Sequence, residues 1–208
     1  MTQTTISPHI KKLIKQDNRF ETIVSQIGYF ELPEPRQPFP ALVNAIIYQQ
    51  LSGKAATTIY NRFLGLYSDE HPTEKELIDT DHQDLSGVGL SNRKAEYVRD
   101  IARFFHERPM SLNDFQLLTN DEIIEMLTSI RGIGPWSVDM FLMFTLHRLD
   151  VFPVLDLGIK KGFSRLYQTD ELCSDEFMLK ESQKWKPYRT IASMYLWRIL
   201  DDDFDWTQ

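Results

Sequence analysis

Cysteine is all but missing from this chain: Cys173 is the only one in 208 residues. A single thiol forms no internal disulfide, and it excludes a four-cysteine zinc or iron–sulfur site. Long apolar runs are missing as well. None reaches the roughly 20 residues that span a bilayer, and the opening MTQTTISPHIKK lacks the apolar core of a secretory leader. No membrane association and a cytoplasmic location are the expectations. Positive charge is in deficit. Lys+Arg number 23 against Asp+Glu 30, a net charge of −7, and setting aside the acids near the C-terminus (Asp201, Asp202, Asp203, Asp205) leaves the body still mildly acidic. That balance argues against a generic polyanion binder. A nucleic-acid partner would require basic groups gathered on one face, or glycine-rich turns that hold phosphates through backbone amides. Paired metal-binding histidines are also lacking: His9, His71, His82, His106 and His147 are scattered without i, i+4 spacing.

What is present is helical patterning. A hydrophobic content of 42% and a charged content of 25% are ordinary for a globular protein. The length suits one substantial core or two small helical lobes sharing a cleft. Ser7-Pro8 places an N-cap before a proline at the first helical position, and Gly28 reads as a helix stop. ELPEPRQPFP at 31–40 is a proline-rich loop. Leu42, Ala45, Ile46 and Gln49 then repeat at helical spacing, Ser52-Gly53 interrupts, and Ala55, Ile59, Phe63 and Leu66 form a second amphipathic run. Thr73 with Glu76 and Thr119 with Glu122 have capping-box spacing, and Ser91 is placed to cap a helix carrying Ala95, Val98 and Ala102. The last third reads as helices over 119–130, 135–146 and 187–200, with a shorter one starting near Asp156. The VFPV stretch is too short for a strand and contains Pro153. The expected fold class is all-α.

Two turns echo each other, SGVGLS at 86–91 and IRGIGPWS at 130–137. In the second, Gly132 and Gly134 permit positive φ, and Pro135 suits the first turn of the next helix. Amides of such a first turn have no intrahelical acceptor and can bind a phosphate oxygen. Taken alone, this glycine pair also fits a plain helix–helix connection. Asp156 is equally open on local grounds, as a helix N-cap or as a carboxylate that does chemistry.

The longer motifs are more specific. IRGIGPWSVDMFLMF, DVFPVLDLGIKKG and WKPYRTIASMYLWR, in that order, resemble the helix-hairpin-helix DNA glycosylase superfamily. Within it they look like the alkylpurine (3-methyladenine) DNA glycosylase II branch. NAIIYQQLSGKAATTIYNRF and GVGLSNRKAEYV extend the resemblance over roughly residues 39–200. It implies a single domain over 1–208, with two helical lobes flanking a DNA-binding cleft, the N-terminal helices packing with the C-terminal lobe, and the hairpin at about 120–146. The lone cysteine separates the chain from iron–sulfur relatives, and its length leaves no room for the β-rich N-terminal domain of larger members.

The resemblance also implies an activity: hydrolysis of the N-glycosidic bond of alkylated purines in duplex DNA, in base excision repair. Asp156 aligns with the catalytic aspartate, where a carboxylate stabilises positive charge developing on the deoxyribose. Many relatives carry a second acid where this chain has Leu155. Trp136 stands where bifunctional relatives have a Schiff-base lysine, which implies a monofunctional enzyme without lyase activity. Trp136 and Trp197 fall where aromatic pocket walls are found, with Met140 beside them; an indole face attracts a cationic base by roughly 0.5–2 kcal/mol. Gln49, Gln50 and Leu51 occupy the turn that supplies the DNA wedge. Amides near Gly132, Gly134 and Trp136 are expected to hold phosphate. Gly87, Gly89 and Ser91, with Arg93 or Lys94 nearby, offer a second contact. A Na+ or K+ ion on the carbonyls of Thr128, Ile130 and Ile133 is the one cofactor implied, and none is required for the chemistry. The partner is double-stranded DNA containing alkylated bases, met by a monomer. Lys160 and Lys161 read as solvated or phosphate-facing charges, and Asp139 as a brace to a neighbouring segment. The alternatives are a glycosylase with another lesion preference, such as etheno-adenine or hypoxanthine, and a non-catalytic binder of DNA structures.

Overall fold

A computed structural model describes residues 7–32, 34–51, 53–68 and 70–201. Ser52, and the acids Asp202, Asp203 and Asp205, lie outside the described residues. In chain order the helices are α1 (Ser7–Gln16), α2 (Arg19–Ile27), α3 (Pro38–Tyr48), α4 (Gly53–Gly65), α5 (Glu74–Asp79), α6 (His82–Gly87), α7 (Asn92–Glu107), α8 (Leu112–Gln116), α9 (Asn120–Thr128), α10 (Pro135–Phe144), α11 (Leu157–Leu166), α12 (Asp175–Glu181) and α13 (Arg189–Arg198), with a 3-10 helix at Ser182–Trp185. Among the described residues there is no strand, as the all-α reading expected. No helix among them is long and apolar enough to cross a membrane. The residues cluster into two units, one within 1–35 and 142–208 and the other within 36–141.

The start signals formed as expected. The Thr73 hydroxyl accepts the Glu76 N–H while Glu76 accepts the Thr73 N–H at 2.8 Å, and Thr119 with Glu122 repeats the exchange. Between the start at Ser7 and the stop at Gly28, a break at Asp17-Asn18 divides the segment into α1 and α2. Asp17 Oδ1 accepts the backbone N–H of Arg19 at 3.2 Å and its Nε–H at 2.8 Å, so the acid starts a new helix rather than continuing the old one. The expected helices over 119–130, 135–146 and 187–200 are each shorter, at 120–128, 135–144 and 189–198. Helices α8 and α12 were not anticipated; Ser111 and Ser174 cap them.

In the unit that holds both termini, α1 and α2 pack with α13 and the 3-10 helix, and α11 packs along α13. Gly162 sets that last spacing, because a Cβ there would collide with the backbone carbonyl of Leu196. Phe20, Phe163, Trp185 and Tyr195 are fully buried in this unit. In the unit at 36–141, α7 packs against α3, α5 and α6, and buries Ala95, Val98, Ile101 and Ala102. Phe63, Phe105, Phe115 and Phe141 complete its core.

Candidate functional site

Asp156 follows the V-F-P-V loop and is the N-cap of α11. Its Oδ1 accepts the Ile159 backbone N–H at 2.8 Å and the Trp197 Nε1–H at 2.8 Å. The first bond fixes the carboxylate on the helix end, where the dipole stabilises negative charge. The second ties it to α13. Gly158 makes the second bond possible. A Cβ there would lie 2.8 Å from Trp197 Cδ1 and 3.0 Å from Asp156 Oδ1, too close for both to stay in place. On either side, Leu155 and Leu157 are 60% and 55% exposed, so the half-buried acid sits between two uncovered leucines.

The Trp197 indole lies beside the Phe144 ring, with centroids 5.9 Å apart and planes at 25°. Both line a pocket of about 240 Å3, together with Phe30, Leu32, Met194, Glu31 and Arg198. The Arg198 guanidinium lies 4.6 Å from the Phe30 ring centroid. Sequence reasoning placed Trp197 here but missed Phe144, which ends a run, FLMF, whose other three members are buried. The other expected wall residues are described with the unit at 36–141. Trp136 sits in the first turn of α10 and is 42% exposed, so it is not a core residue. Met140 is half-buried, one turn further on.

The hairpin between α9 and α10 is built on one glycine rather than two. Gly132 has φ of 93°, and a Cβ on it would collide with the Tyr97 ring. Gly134 has no such φ and open space where a Cβ would stand, so only Gly132 uses the freedom that both glycines permit. Behind the turn, Arg131 reaches Asp100 at 2.8 Å and Glu96 at 3.0 Å on α7. In front of it, the Gln49 side-chain amide donates to the Gly132 carbonyl at 3.3 Å and to Ser137 Oγ at 3.1 Å. Gln49 is thus occupied in holding the hairpin, whereas the wedge reading had it beside Gln50 and Leu51. Those two are exposed, with Gln50 at φ of 57°. Lys94 fixes the same turn from α7: its ammonium donates to the Ile47 carbonyl at 2.8 Å and the Gln49 carbonyl at 2.7 Å. It faces inward, not outward to a phosphate, and the accompanying burial lowers its pKa.

At the second turn, Gly89 has φ of 104°, and a Cβ there would stand 3.1 Å from Ile59 Cγ1. Gly87 ends α6 without positive φ. Ser91 caps α7, its hydroxyl accepting the Lys94 N–H at 3.3 Å. Arg93 is exposed. Lys160 pairs with Asp175 at 2.6 Å, and is not a free solvated charge. Asp139 is expected to brace a neighbour, yet burial is the cause that sets its titration, pushing the carboxyl up to about 6. Among the described residues no cluster of His, Cys, Asp and Glu could hold a metal ion.

The profile of the HhH-GPD superfamily of base excision DNA repair proteins matches residues 43–187. DNA-3-methyladenine glycosylase 1 of Schizosaccharomyces pombe is 34% identical over 187 residues, covering 88% of this chain and 82% of that protein. A DNA-3-methyladenine glycosylase of Saccharomyces cerevisiae is 37% identical over 174 residues, covering 79% of this chain but 58% of that longer protein. The structure of a Schizosaccharomyces pombe 3-methyladenine DNA glycosylase in complex with abasic DNA superposes with a TM-score of 0.84 at 32% identity, covering 96% of this chain and 100% of that one. The match spans well over half of the chain, taking in the hairpin and the capped Asp156, and the chain belongs to the HhH-GPD superfamily of base excision DNA repair proteins.

Proposed function

We propose that this protein is a monofunctional DNA glycosylase that hydrolyses the N-glycosidic bond of alkylated purines in duplex DNA. The observation that carries the reading is the Asp156 carboxylate, held by the α11 N-terminus and by Trp197 Nε1–H, next to an aromatic pocket. Breaking the bond from C1′ to the base builds positive charge on the deoxyribose, and a carboxylate already oriented stabilises that charge without reorganising. The same group orients the attacking water and takes its proton as the new C1′–O bond forms. A purine alkylated on a ring nitrogen is cationic, so the electron pair of the breaking bond neutralises it and little acid assistance is needed. Trp197 and Phe144 offer electron-rich faces to such a base once it is flipped out of the stack. Trp136 stands where a lyase would need an amine, so no Schiff base forms and the product keeps an abasic site.

DNA is held by further contacts. Gln50 and Leu51, exposed on a turn locked by Lys94 and Gln49, serve as the wedge that fills the gap. The amides near Gly132, Gly134 and Trp136 take one phosphate, and the 87–91 turn with Arg93 takes another. The α9 C-terminus suits a monovalent cation, being the negative end of a helix built of carbonyl oxygens. The Ile130 carbonyl accepts the Ile133 N–H at 3.1 Å and keeps a second lone pair. The carbonyls of Thr128, Ile130 and Ile133 would hold Na+ or K+ there, screening the phosphate bound at the hairpin. The acidic chain acts as a monomer on alkylated double-stranded DNA. The S. pombe structure, a complex with abasic DNA, supports DNA as the partner.

The test is incubation with methylated duplex DNA and chromatography of the released bases. Release of 3-methyladenine or 7-methylguanine by the wild type, and its loss in Asp156→Asn with DNA binding retained, is the expected result. Release of hypoxanthine or etheno-adenine alone would favour the other lesion preferences. Binding without release would favour a DNA-structure binder, and a covalent adduct trapped by borohydride would overturn the monofunctional assignment.

A further inference from the structure

The proline-rich loop before α3 sends one acid to the pocket beside Trp197, and no role given so far uses it. The lining is apolar apart from two charged residues, Glu31 and Arg198. Arg198 is drawn onto the face of Phe30, 4.6 Å from its centroid. Glu31 is left as the pocket's negative group, on the wall that also carries Phe30 and Leu32.

We infer that Glu31 is a specificity-determining residue that selects positively charged alkylpurines over neutral lesions. The inference rests on the reading of the chain as a base-releasing glycosylase, and it assigns that pocket's choice of substrate. Aromatic faces attract a cation only modestly, and they stack neutral purines nearly as well. A carboxylate on the wall adds an attraction that only the charged base feels. Its kinetic signature differs from that of Asp156. As the glycosidic bond breaks, the bonding electrons go to the base, which becomes neutral, while the sugar becomes positive. An acid facing the base therefore stabilises the bound substrate more than the transition state, whereas an acid facing the sugar does the reverse. Glu31 should set how tightly a charged lesion is captured. Asp156 should set how fast it is released.

The experiment is single-turnover excision at increasing protein concentration, on duplexes carrying one 7-methylguanine or one hypoxanthine, for wild type, Glu31→Gln and Glu31→Asp. Affinity for an abasic-site duplex, which has no base to enter the pocket, is measured alongside. Glu31→Gln is expected to raise the half-saturating concentration for 7-methylguanine about fivefold, the scale of one partly screened charge contact. Its saturating rate should be unchanged or faster, and hypoxanthine and abasic DNA should be bound as before. Glu31→Asp, which keeps the charge, should fall nearer to wild type. If the wild type does not process hypoxanthine, binding of that duplex supplies the neutral comparison. An unchanged half-saturation for 7-methylguanine in Glu31→Gln would overturn the inference. So would equal weakening on charged, neutral and abasic DNA, which would mark Glu31 as a general DNA contact. If the wild type releases neither base, the glycosylase reading itself fails and this inference falls with it.

Discussion

Exchange of Trp197 for phenylalanine keeps a six-membered ring against Phe144 while deleting the indole N–H that donates to Asp156 Oδ1 at 2.8 Å. Asp156 retains the Ile159 N–H, so α11 stays capped and only the tie to α13 is lost. A hydrogen bond to a charged group contributes about 1.5–3 kcal/mol. The carboxylate is half-buried and water can replace part of the bond, so the lower half of that range applies. If the bond aims the carboxylate at the developing sugar charge, about 1.5–2 kcal/mol appears in the barrier, a fall of ~10- to 30-fold in the saturating single-turnover rate. Release of 7-methylguanine under excess protein is the assay, with thermal melting and abasic-DNA affinity as controls. Gly158→Ala should act in the same direction, since its methyl group would stand 2.8 Å from the Trp197 ring and 3.0 Å from Oδ1. A Trp197→Phe rate within threefold of wild type, with stability unchanged, would refute the claim that this bond organises the catalytic acid.

Two further expectations concern pH. The Asp139 carboxyl is raised by burial to about 6, above its ordinary 3.8, so the folded state carries a penalty that is full above pH 6 and gone below pH 4. Asp139→Asn should therefore stabilise the protein at pH 8 by about 1 kcal/mol, after discounting for partial solvent exposure, and the gain should vanish toward pH 4. Denaturant titrations at the two values check this, and an equal gain at both would sink it. Asp17 behaves oppositely. Burial raises its pKa, but hydrogen bonds from Arg19 and Trp185, with the charges of Arg19 and Lys184, outweigh that and bring it down to about 2. Its contribution, about 2 kcal/mol, is present above pH 4 and lost as pH falls through about 2. Asp17→Asn should therefore unfold at markedly lower urea at pH 7, while melts of mutant and wild type converge near pH 2.

The features legible in the sequence are those whose causes are local. Thr73 with Glu76 and Thr119 with Glu122 announce helix starts because both partners of each reciprocal bond lie within four residues. Ser111 with Asp114 makes the same exchange but escaped notice, since aspartate replaces the usual glutamate at the third position. Helix ends were overrun for a comparable reason. Ile130 is buried beyond the end of α9, so the apolar period continues although its backbone has already turned to accept Ile133. The break at Asp17 was only half announced, because its carboxylate is held both by Arg19, two residues on, and by the Trp185 indole N–H, 168 residues away.

The candidate site divides along the same line. Asp156, Trp197 and the hairpin glycine at 132 were legible because their motifs are contiguous and ordered. Phe144 was not, because it differs from its buried neighbours Phe141, Leu142 and Met143 only in what α10 turns it toward. Gly158 and Gly162 were not either, for their meaning lies in the Trp197 ring and the Leu196 carbonyl on another helix. Glu31 sat unremarked in a proline-rich loop until the fold brought that loop to the pocket. Asp156 joins the two kinds of information. Its sequence left helix cap and catalytic acid as alternatives, yet one oxygen, Oδ1, accepts from both the α11 backbone and the Trp197 indole. Under the proposed mechanism, the cap is what aims the carboxylate. Removing it by substitution should therefore cost rate and helix stability together, whereas removing Trp197 Nε1–H should cost rate alone.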